Sequence, residues 1–504
     1  MTEFELKFEI PPTHLKSVAV AVLEGKATRQ RLQASYFDTP DGVLAAHSMV
    51  VRLRKEGRRW VQTAKGSTAD VLERLEHNVT VAPQSAGVVP VLDLSRHRGT
   101  PVGKAIGKAL GLKGNETAPS LELLYATDVQ RISRQVGYGS SIVEIALDQG
   151  RVFANGRSQS ICELEVELKQ GVPVDAVDLA RQWSAAHGLW ISTIAKSMKG
   201  QRLRQAVPFG EATSAVAPKY APQATTHDML SALVQTCLGQ ILPNASELAS
   251  GSQHPDHVHQ LRVGIRRLRT VLRELASLTD AFDPTWEDAL VHTFRALGAH
   301  RDHSHLALVF QPQLLAAGGP ELDFKKTQSM ALDAGETVRA ADFQAALLGL
   351  LGFTQREVPD VSDTPGALKK AVAVRLDKLH RRAMRDGKKF LALSEADQHG
   401  VRKRLKRLRY LIELSEPLFN AGKSKSKSKS RIKRMAAALK PVQEALGLYN
   451  DELMALHAWR AMANDDPNAG FGIGWLTARR LPNAKRCLKE IKAFADIQPF
   501  WRTA

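Results

Sequence analysis

The sequence opens with acids and a base at alternate positions. In EFELKFEI (3–10), Glu3, Glu5, Lys7 and Glu9 share one face of a strand, and Phe4, Leu6, Phe8 and Ile10 share the other. The pattern returns along the next two hundred residues. Arg52 and Arg54 share a face in VRLR, Lys65 closes WVQTAKG, and Arg74 and Glu76 share a face in ERLEHNV. Glu144 lies on a face with Asp148, and Glu163, Glu165 and Glu167 alternate with Cys162, Leu164, Val166 and Leu168. Rows of Arg and Lys hold a phosphate chain through charge-assisted hydrogen bonds. Clustered carboxylates hold a hard divalent cation, which neutralises charge during phosphoryl transfer. Acids alone would repel phosphate, and bases alone would bind it without chemistry. The mixture suits a metal-dependent phosphoanhydride hydrolase. Cross-strand ion pairs on a half-solvated sheet would explain any one strand. Repetition on nearly every strand favours charges that line a closed tunnel, with the apolar faces covered by helices.

A second basic pattern has a different period. At about 100° per residue, His259, Arg262, Arg266, Arg269 and Arg273 fall within an arc of roughly 80° on one helix face. His399, Arg402, Lys406 and Arg409 repeat the stripe 140 residues later. LGAHRD (297–302) and LGLYND (446–451) follow the two copies, ending in Asp302 and Asp451, each a helix cap or an orienting group for the bases. A solvated helix face normally mixes acids and bases, whereas these stripes hold no acid before Glu413. Anion binding is the expectation. The histidines suit phosphate better than metal, since no HExxH or paired cysteines accompany them.

These residues require two kinds of scaffold. At 504 residues the chain exceeds one compact core. Residues 1–204 read as short alternating strands with helices between them, one near 174–187, and DQG and KQG read as turns. Residues 205–225, rich in Pro and Ala, read as a linker. Residues 226–501 carry helix-period apolar spacing and an internal repeat over about 226–360 and 366–501. KSKSKSKSRIKR (423–434) reads as a disordered basic loop.

Net charge +18 and pI near 9.8 favour anionic partners. Only 6% of residues are aromatic, which leaves little to stack bases and disfavours nucleic acid. No apolar run is long enough to span a membrane. The acidic N-terminus lacks signal-peptide features. Three distant cysteines, Cys162, Cys237 and Cys487, indicate a reducing compartment, so the cytoplasm is the expected location.

Taken together, ExExK (Glu3, Glu5, Lys7), YFDTPDGVL (36–44), VRLR (51–54), WVQTAKG (60–66), ALDQG (146–150), CELEVELK (162–169) and AKSMKG (195–200) resemble, in order, the CYTH family of triphosphate tunnel metalloenzymes. The duplicated His-x-x-Arg helix resembles the CHAD domain. The resemblance implies an α+β N-terminal domain, an eight-stranded antiparallel tunnel barrel with flanking helices, and an all-α C-terminal domain of two repeated bundles. It implies that Glu3, Glu5, Glu163 and Glu165 hold Mg²⁺ or Mn²⁺. Lys7, Arg52, Arg54 and Lys65 would grip the triphosphate, with Arg131 and Lys196 as further candidates. Glu76 and Glu144 would bind metal or position the attacking water, so no His or Cys nucleophile is needed. The implied activity is hydrolysis of inorganic tripolyphosphate to pyrophosphate and phosphate, with polyphosphate bound on the CHAD face and polyphosphate granules as a place of association. Adenylate cyclase, an organic triphosphatase and a non-catalytic polyphosphate-binding protein remain alternatives.

Overall fold

The structure, a computed structural model, describes residues 2–68, 70, 72–82, 88–113, 116, 119–221, 223–305, 309–322, 333–357, 365–420 and 425–502. Among the described residues nine strands form: β1 (Thr2–Glu9), β2 (Thr28–Asp38), β3 (Met49–Glu56), β4 (Arg59–Ser67), β5 (Glu73–Val81), β6 (Glu122–Tyr138), β7 (Ser141–Ala154), β8 (Arg157–Gln170) and the short β9 (Trp190–Ile191). Eight of them close an antiparallel barrel in the order β1-β5-β4-β3-β2-β6-β7-β8, and β8 returns to β1. The first strand makes the closure by dividing its length. Thr2–Phe4 pairs with Glu73–Leu75 of β5, and Phe4–Glu9 pairs with Glu163–Leu168 of β8.

β2 and β6 do not stand out as alternating runs in the sequence. Their outward positions carry Arg31, Gln33 and Asp128, which bond to one another across the two strands. DQG is not a turn: β7 runs through Asp148, Gln149 and Gly150 to Ala154. Gly150 lies so close to β6 that an added Cβ would stand 2.1 Å from the Asp128 carbonyl oxygen and 2.7 Å from Val129 Cα. Glycine therefore serves close strand approach here, and Asp148 remains inside the barrel wall.

Helices α1 (Leu15–Leu23), α2 (Val43–Ala46), α3 (Pro101–Ala109) and α4 (Pro173–His187) cover the apolar outer surface, whereas α5 (Lys196–Gln205) packs against inward-facing residues, with Gly200 on Tyr125 and Lys196 among the inward acids. Val102 and Ile106 of α3 pack on Leu44, Val51 and Ala64. Thr100 caps α3 by accepting from Gly103 N at 3.1 Å, and Pro101 occupies the first turn, where its missing N–H costs nothing. α4 packs on β1 and β8.

Among the described residues ten α-helices follow: α6 (Thr226–Ala249), α7 (Pro255–Glu274), α8 (Pro284–His305), α9 (Gln311–Ala316), α10 (Ala334–Arg339), α11 (Ala341–Thr354), α12 (Pro365–Gly387), α13 (Glu395–Phe419), α14 (Lys425–Met462) and α15 (Ala469–Ala495). The chain divides into two compact units. The first comprises Met1–Ser214, Leu238–His257 and Val338–Arg356, so α11 and much of α6 belong with the barrel, and α11 packs on α4. The second comprises Ala215–Cys237, Val258–Thr337 and Glu357–Ala504. Within it α7 buries Val258, Leu261, Ile265, Leu268 and Val271, the apolar stripe of an amphipathic helix.

The Lys–Ser tract is helical from Lys425 onward rather than a loop, while 423 and 424 lie outside the described residues. Lysine is a good helix former, and propagation from an established helix is far easier than nucleation. Among the described residues, no helix is long and apolar enough to cross a membrane. Gly150→Ala is expected to destabilise the first unit by about 1–3 kcal/mol through overpacking against β6, measurable by urea unfolding.

Candidate functional site

The barrel turns its charged positions inward. Asp148 on β7 stands opposite Glu163 on β8, and Glu165 follows two residues along, on the same face. Asp148 and Glu163 are fully buried. One oxygen from each of Asp148, Glu163 and Glu165 lies within 4.8 Å of the others. Burial of three carboxylates requires compensating cations, and two supply it. Arg131 Nε donates to Asp148 Oδ1 at 2.7 Å, its Nη2 donates to Asp148 Oδ2 at 2.6 Å, and Nη2 also bonds to Glu165. Lys196 Nζ lies 2.7 Å from Asp148 Oδ2 and 2.6 Å from Glu165 Oε1, and pairs with Glu163. Burial would push the Lys196 ammonium down, but Asp148, Glu163 and Glu165 outweigh it and hold it well above the usual range. Burial likewise works to raise Glu165, and Lys196 and Arg131 hold it well below. The three carboxylates are hard oxygen donors, the chemistry a Mg²⁺ or Mn²⁺ ion requires. The Lys196 ammonium lies where they converge, so this donor set already accommodates a cation.

A second charged group lies on β1, β3, β4 and β5. Lys65 Nζ lies 2.6 Å from both Glu3 Oε2 and Glu76 Oε2. Burial, above all, pushes Glu3 up to about 8, against the pull of Lys65, and its hydrogen bond with Glu76 adds to the rise. Burial acts to raise Glu76 as well, but the hydrogen bond from Glu3 and the charges of Lys65 and Arg52 hold it well below the usual range. The two acids therefore titrate as a coupled pair around Lys65. Glu5 is raised by burial and by the Glu165 charge, with Lys65, Arg74 and Lys196 opposing. Lys7 Nζ donates to the Ile194 carbonyl, and burial depresses the amine to about 8, with Glu163 opposing and Lys199 and Lys196 adding. Burial works against the Arg52 charge, and Tyr36 and Glu76 outweigh it.

The remaining expected residues lie further along the barrel. Arg54 pairs with Glu56, its Nε donating at 2.7 Å. Glu144 meets Lys169 at 3.4 Å, and Lys169 also meets Glu167 at 2.7 Å. Four residues separate Glu144 from Asp148, about 13 Å along β7. Three participants were not singled out for the site from the sequence: Asp148, Lys199 and Tyr36. Asp148 shares the inward face with Glu144, a signal the apparent DQG turn obscured. Lys199 Nζ lies 2.8 Å from Glu9 Oε1 and 3.4 Å from Glu163 Oε2. Tyr36 stacks on Tyr125 with ring centroids 4.7 Å apart.

On the helices of the second unit, both basic stripes form. Arg262 and Arg266 flank the Phe294 ring at 4.5 and 5.1 Å. Arg269 and Arg273 reach Glu287 of α8 at 3.3 and 3.4 Å. On α13, His399 Nδ1 lies 2.7 Å from Asn450 Oδ1, Arg402 lies 4.0 Å from Asp451, and Arg409 pairs with Glu413 at 2.6 Å. Asp451 lies in the middle of α14, so it is no cap. The Asp302 side chain lies outside the described residues. His259 and Lys406 are half-buried on the same two helices. Lys403 is depressed by burial and then by Arg269, Arg295, Arg407 and Arg273, so cations from α7, α8 and α13 crowd together.

The CYTH domain family model matches residues 1–200, and the CHAD domain family model matches residues 232–460. An inorganic triphosphatase from Haemophilus influenzae is 28% identical over 174 residues, covering 34% of this chain. The match spans 45% of that relative, less than half of its length. Among solved structures, the CHAD domain from the plant Ricinus communis aligns over 57% of this chain and 98% of its own, with 22% identity and a TM-score of 0.45. A Hippeastrum protein described as an adenylyl cyclase candidate with a dominant triphosphatase activity aligns over 41% of this chain and 96% of its own, with 13% identity and a TM-score of 0.29.

The Glu3 carboxyl, raised to about 8, costs stability as pH climbs from the ordinary carboxyl range to that value, because over this window the unfolded chain releases a proton that the folded state keeps. Glu3→Gln imitates the protonated acid. Its melting temperature should match the wild type near pH ~4, rise above it progressively with pH, and exceed it by roughly 2–4 °C near pH ~8 and above, read by differential scanning calorimetry.

Proposed function

We propose that this chain, which carries a CYTH domain followed by a CHAD domain, hydrolyses inorganic tripolyphosphate to pyrophosphate and phosphate inside the barrel. The observation that carries the reading is the interior itself: buried acids and bases in compensating pairs, with three carboxylates converging on one point. Asp148, Glu163 and Glu165 would hold Mg²⁺ or Mn²⁺, with Glu5 adjoining and Glu3 beyond it. When bound, such a cation supplies Lewis-acid neutralisation of phosphate charge. Arg52, Arg54, Lys65, Arg131, Lys7 and Lys196 bind the phosphate chain, through forks at the arginines and point charges at the lysines. Lys196, paired with those carboxylates, would be the cation nearest to both the metal site and the substrate. Glu76, kept ionised by its hydrogen bond with Glu3 and by the charges of Lys65 and Arg52, positions the attacking water as an acceptor, and Glu144 serves the far end of the lining.

The helical stripes bind inorganic polyphosphate, a polymer of regular charge that point charges and guanidinium forks can hold without reading bases. His259, Arg262, Arg266 and Arg269 form one row, and His399, Arg402, Lys406 and Arg409 the other. The acids on Glu287, Asp451 and Glu413 keep these cations ordered between encounters. Such a surface suits association with polyphosphate granules.

Phosphate release from tripolyphosphate with Mg²⁺ or Mn²⁺, run beside ATP and pyrophosphate, tests the reading. Turnover is expected for tripolyphosphate, with Asp148→Asn and Glu5→Gln each lowering kcat/KM by about 10²-fold or more. No release with either metal overturns it. Long-chain polyphosphate should bind in preference to duplex DNA at matched salt, with affinity falling steeply as salt rises. Equal affinity for the two would remove the polyphosphate assignment.

A further inference from the structure

Residues 190–205 control much of the tunnel's charge. Ile194 offers the carbonyl that holds Lys7, and α5 carries Lys196 and Lys199. Side chains from the helical sequence, in the same compact unit, hold this segment from outside. Gln344 Oε1 of α11 accepts from Ile191 N at 2.9 Å, and Ser246 Oγ of α6 accepts from Thr193 N at 3.0 Å. Glu247 of α6 grips the Arg202 guanidinium with both oxygens, Nη1 donating to Oε2 at 3.1 Å and Nη2 donating to Oε1. Glu247 Oε2 also accepts from Gly210 N at 3.2 Å. Glu247 is 4% exposed, so solvent screens the pair little.

The holders are themselves held. Ser246 Oγ donates to Leu242 O at 2.8 Å, and Gln344 Nε2 donates to Val338 O at 2.6 Å. The Gly210 carbonyl lies 3.0 Å from His257 Nε2, and His257 Nδ1 lies 2.7 Å from Ser252 Oγ. A planar fork gripped at two points fixes orientation as well as distance, which a single contact does not. Arg202 stands three residues after Lys199 and six after Lys196, within a helix of ten residues. Rotation of α5 about its axis therefore moves all three together.

We propose that Glu247 is a positioning residue for the tunnel. Through Arg202 it sets the rotation of α5, and with it the places of Lys196 and Lys199 among Asp148, Glu163, Glu165 and Glu9. The inference rests on the triphosphate reading of that tunnel. It makes α6, outside the barrel sequence, part of the machinery that prepares the site. Other contacts keep α5 docked when Glu247 is altered. Gly200 packs so tightly that a Cβ would stand 2.1 Å from the Tyr125 ring, Arg204 Nη2 donates to Pro40 O at 3.1 Å, and Asn155 Nδ2 donates to Arg204 O at 3.2 Å. Loss of the Glu247 grip then relaxes orientation without unfolding the helix.

The test uses the full chain and two readouts: tripolyphosphate binding by calorimetry, and amide hydrogen exchange of 190–205. Glu247→Gln keeps the shape and loses the charge and one acceptor. It should weaken tripolyphosphate binding about tenfold and speed exchange in 196–205, while Glu247→Asp recovers part of both. Combined with Lys199→Met, its effect on binding should be less than additive, because both act through one helix. Glu452, buried at 4% and bound by Arg479 at 2.8 Å in the other unit, is the control: Glu452→Gln should leave both readouts at wild-type values. Unchanged binding or exchange in Glu247→Gln, full additivity with Lys199→Met, or an equal effect from Glu452→Gln would overturn the proposal. If the wild type neither binds nor hydrolyses tripolyphosphate, the functional reading fails by itself. Exchange in 196–205 then judges Glu247 alone: faster in Glu247→Gln supports the positioning role, and unchanged exchange refutes it.

Discussion

The constraint on which the barrel depends is charge compensation out of water. Asp148 and Glu163 are fully buried, and Glu3, Glu5, Glu76 and Glu165 lie among them or beside them. An isolated buried carboxylate is prohibitively costly, so the interior holds together only as a network. Lys196 and Arg131 serve three acids, Lys65 serves two, and burial raises the Glu3 carboxyl despite the Lys65 charge beside it. Such an interior contributes little net stability, since the Coulombic gain barely offsets desolvation. Its worth lies in holding many charges at fixed places. The apolar outer face and its covering helices supply the stability, which explains why this barrel is inverted relative to one with a hydrophobic centre.

That network also explains why the helical sequence matters to the barrel. A lysine among three carboxylates must arrive at the right height and angle, and α5 is short. Its orientation is fixed from outside by Ser246, Glu247 and Gln344, so the compact unit extends past the sequence that forms the strands. In the second unit the same electrostatics act at higher exposure. The basic stripes take their counterions from neighbouring helices, Glu287 for α7 and Asp451 for α13, and their cations crowd at Lys403.

Much was legible from local periodicity. A period of two placed Glu3, Glu5 and Lys7 on one face, and likewise Arg52 with Arg54, and Glu163 with Glu165, because a strand's side chains alternate whatever its neighbours are. A helical period gathered His259 to Arg273 into one stripe, and its recurrence at His399 exposed the repeat. These patterns, with the signed charge on each face, determined the inward-facing barrel and the basic helices. β2 and β6 escaped notice because their polar outward residues are matched across strands, as Arg31 is to Asp128, and no single strand reveals such a match.

The sequence by itself thus determined which residues share a face and what chemistry that face could carry. Only the tertiary structure decided which faces meet. Register across β7 and β8 brought Asp148 opposite Glu163, in a stretch whose Gly150 reads as a turn until β6 is seen packed against it. Closure of the barrel put Lys65 of β4 between Glu3 and Glu76, and the seat of α5 put Lys196 among three acids. These partners lie about ten to sixty residues apart, and the energy of a charge pair depends on distance and burial in space, which no local pattern encodes.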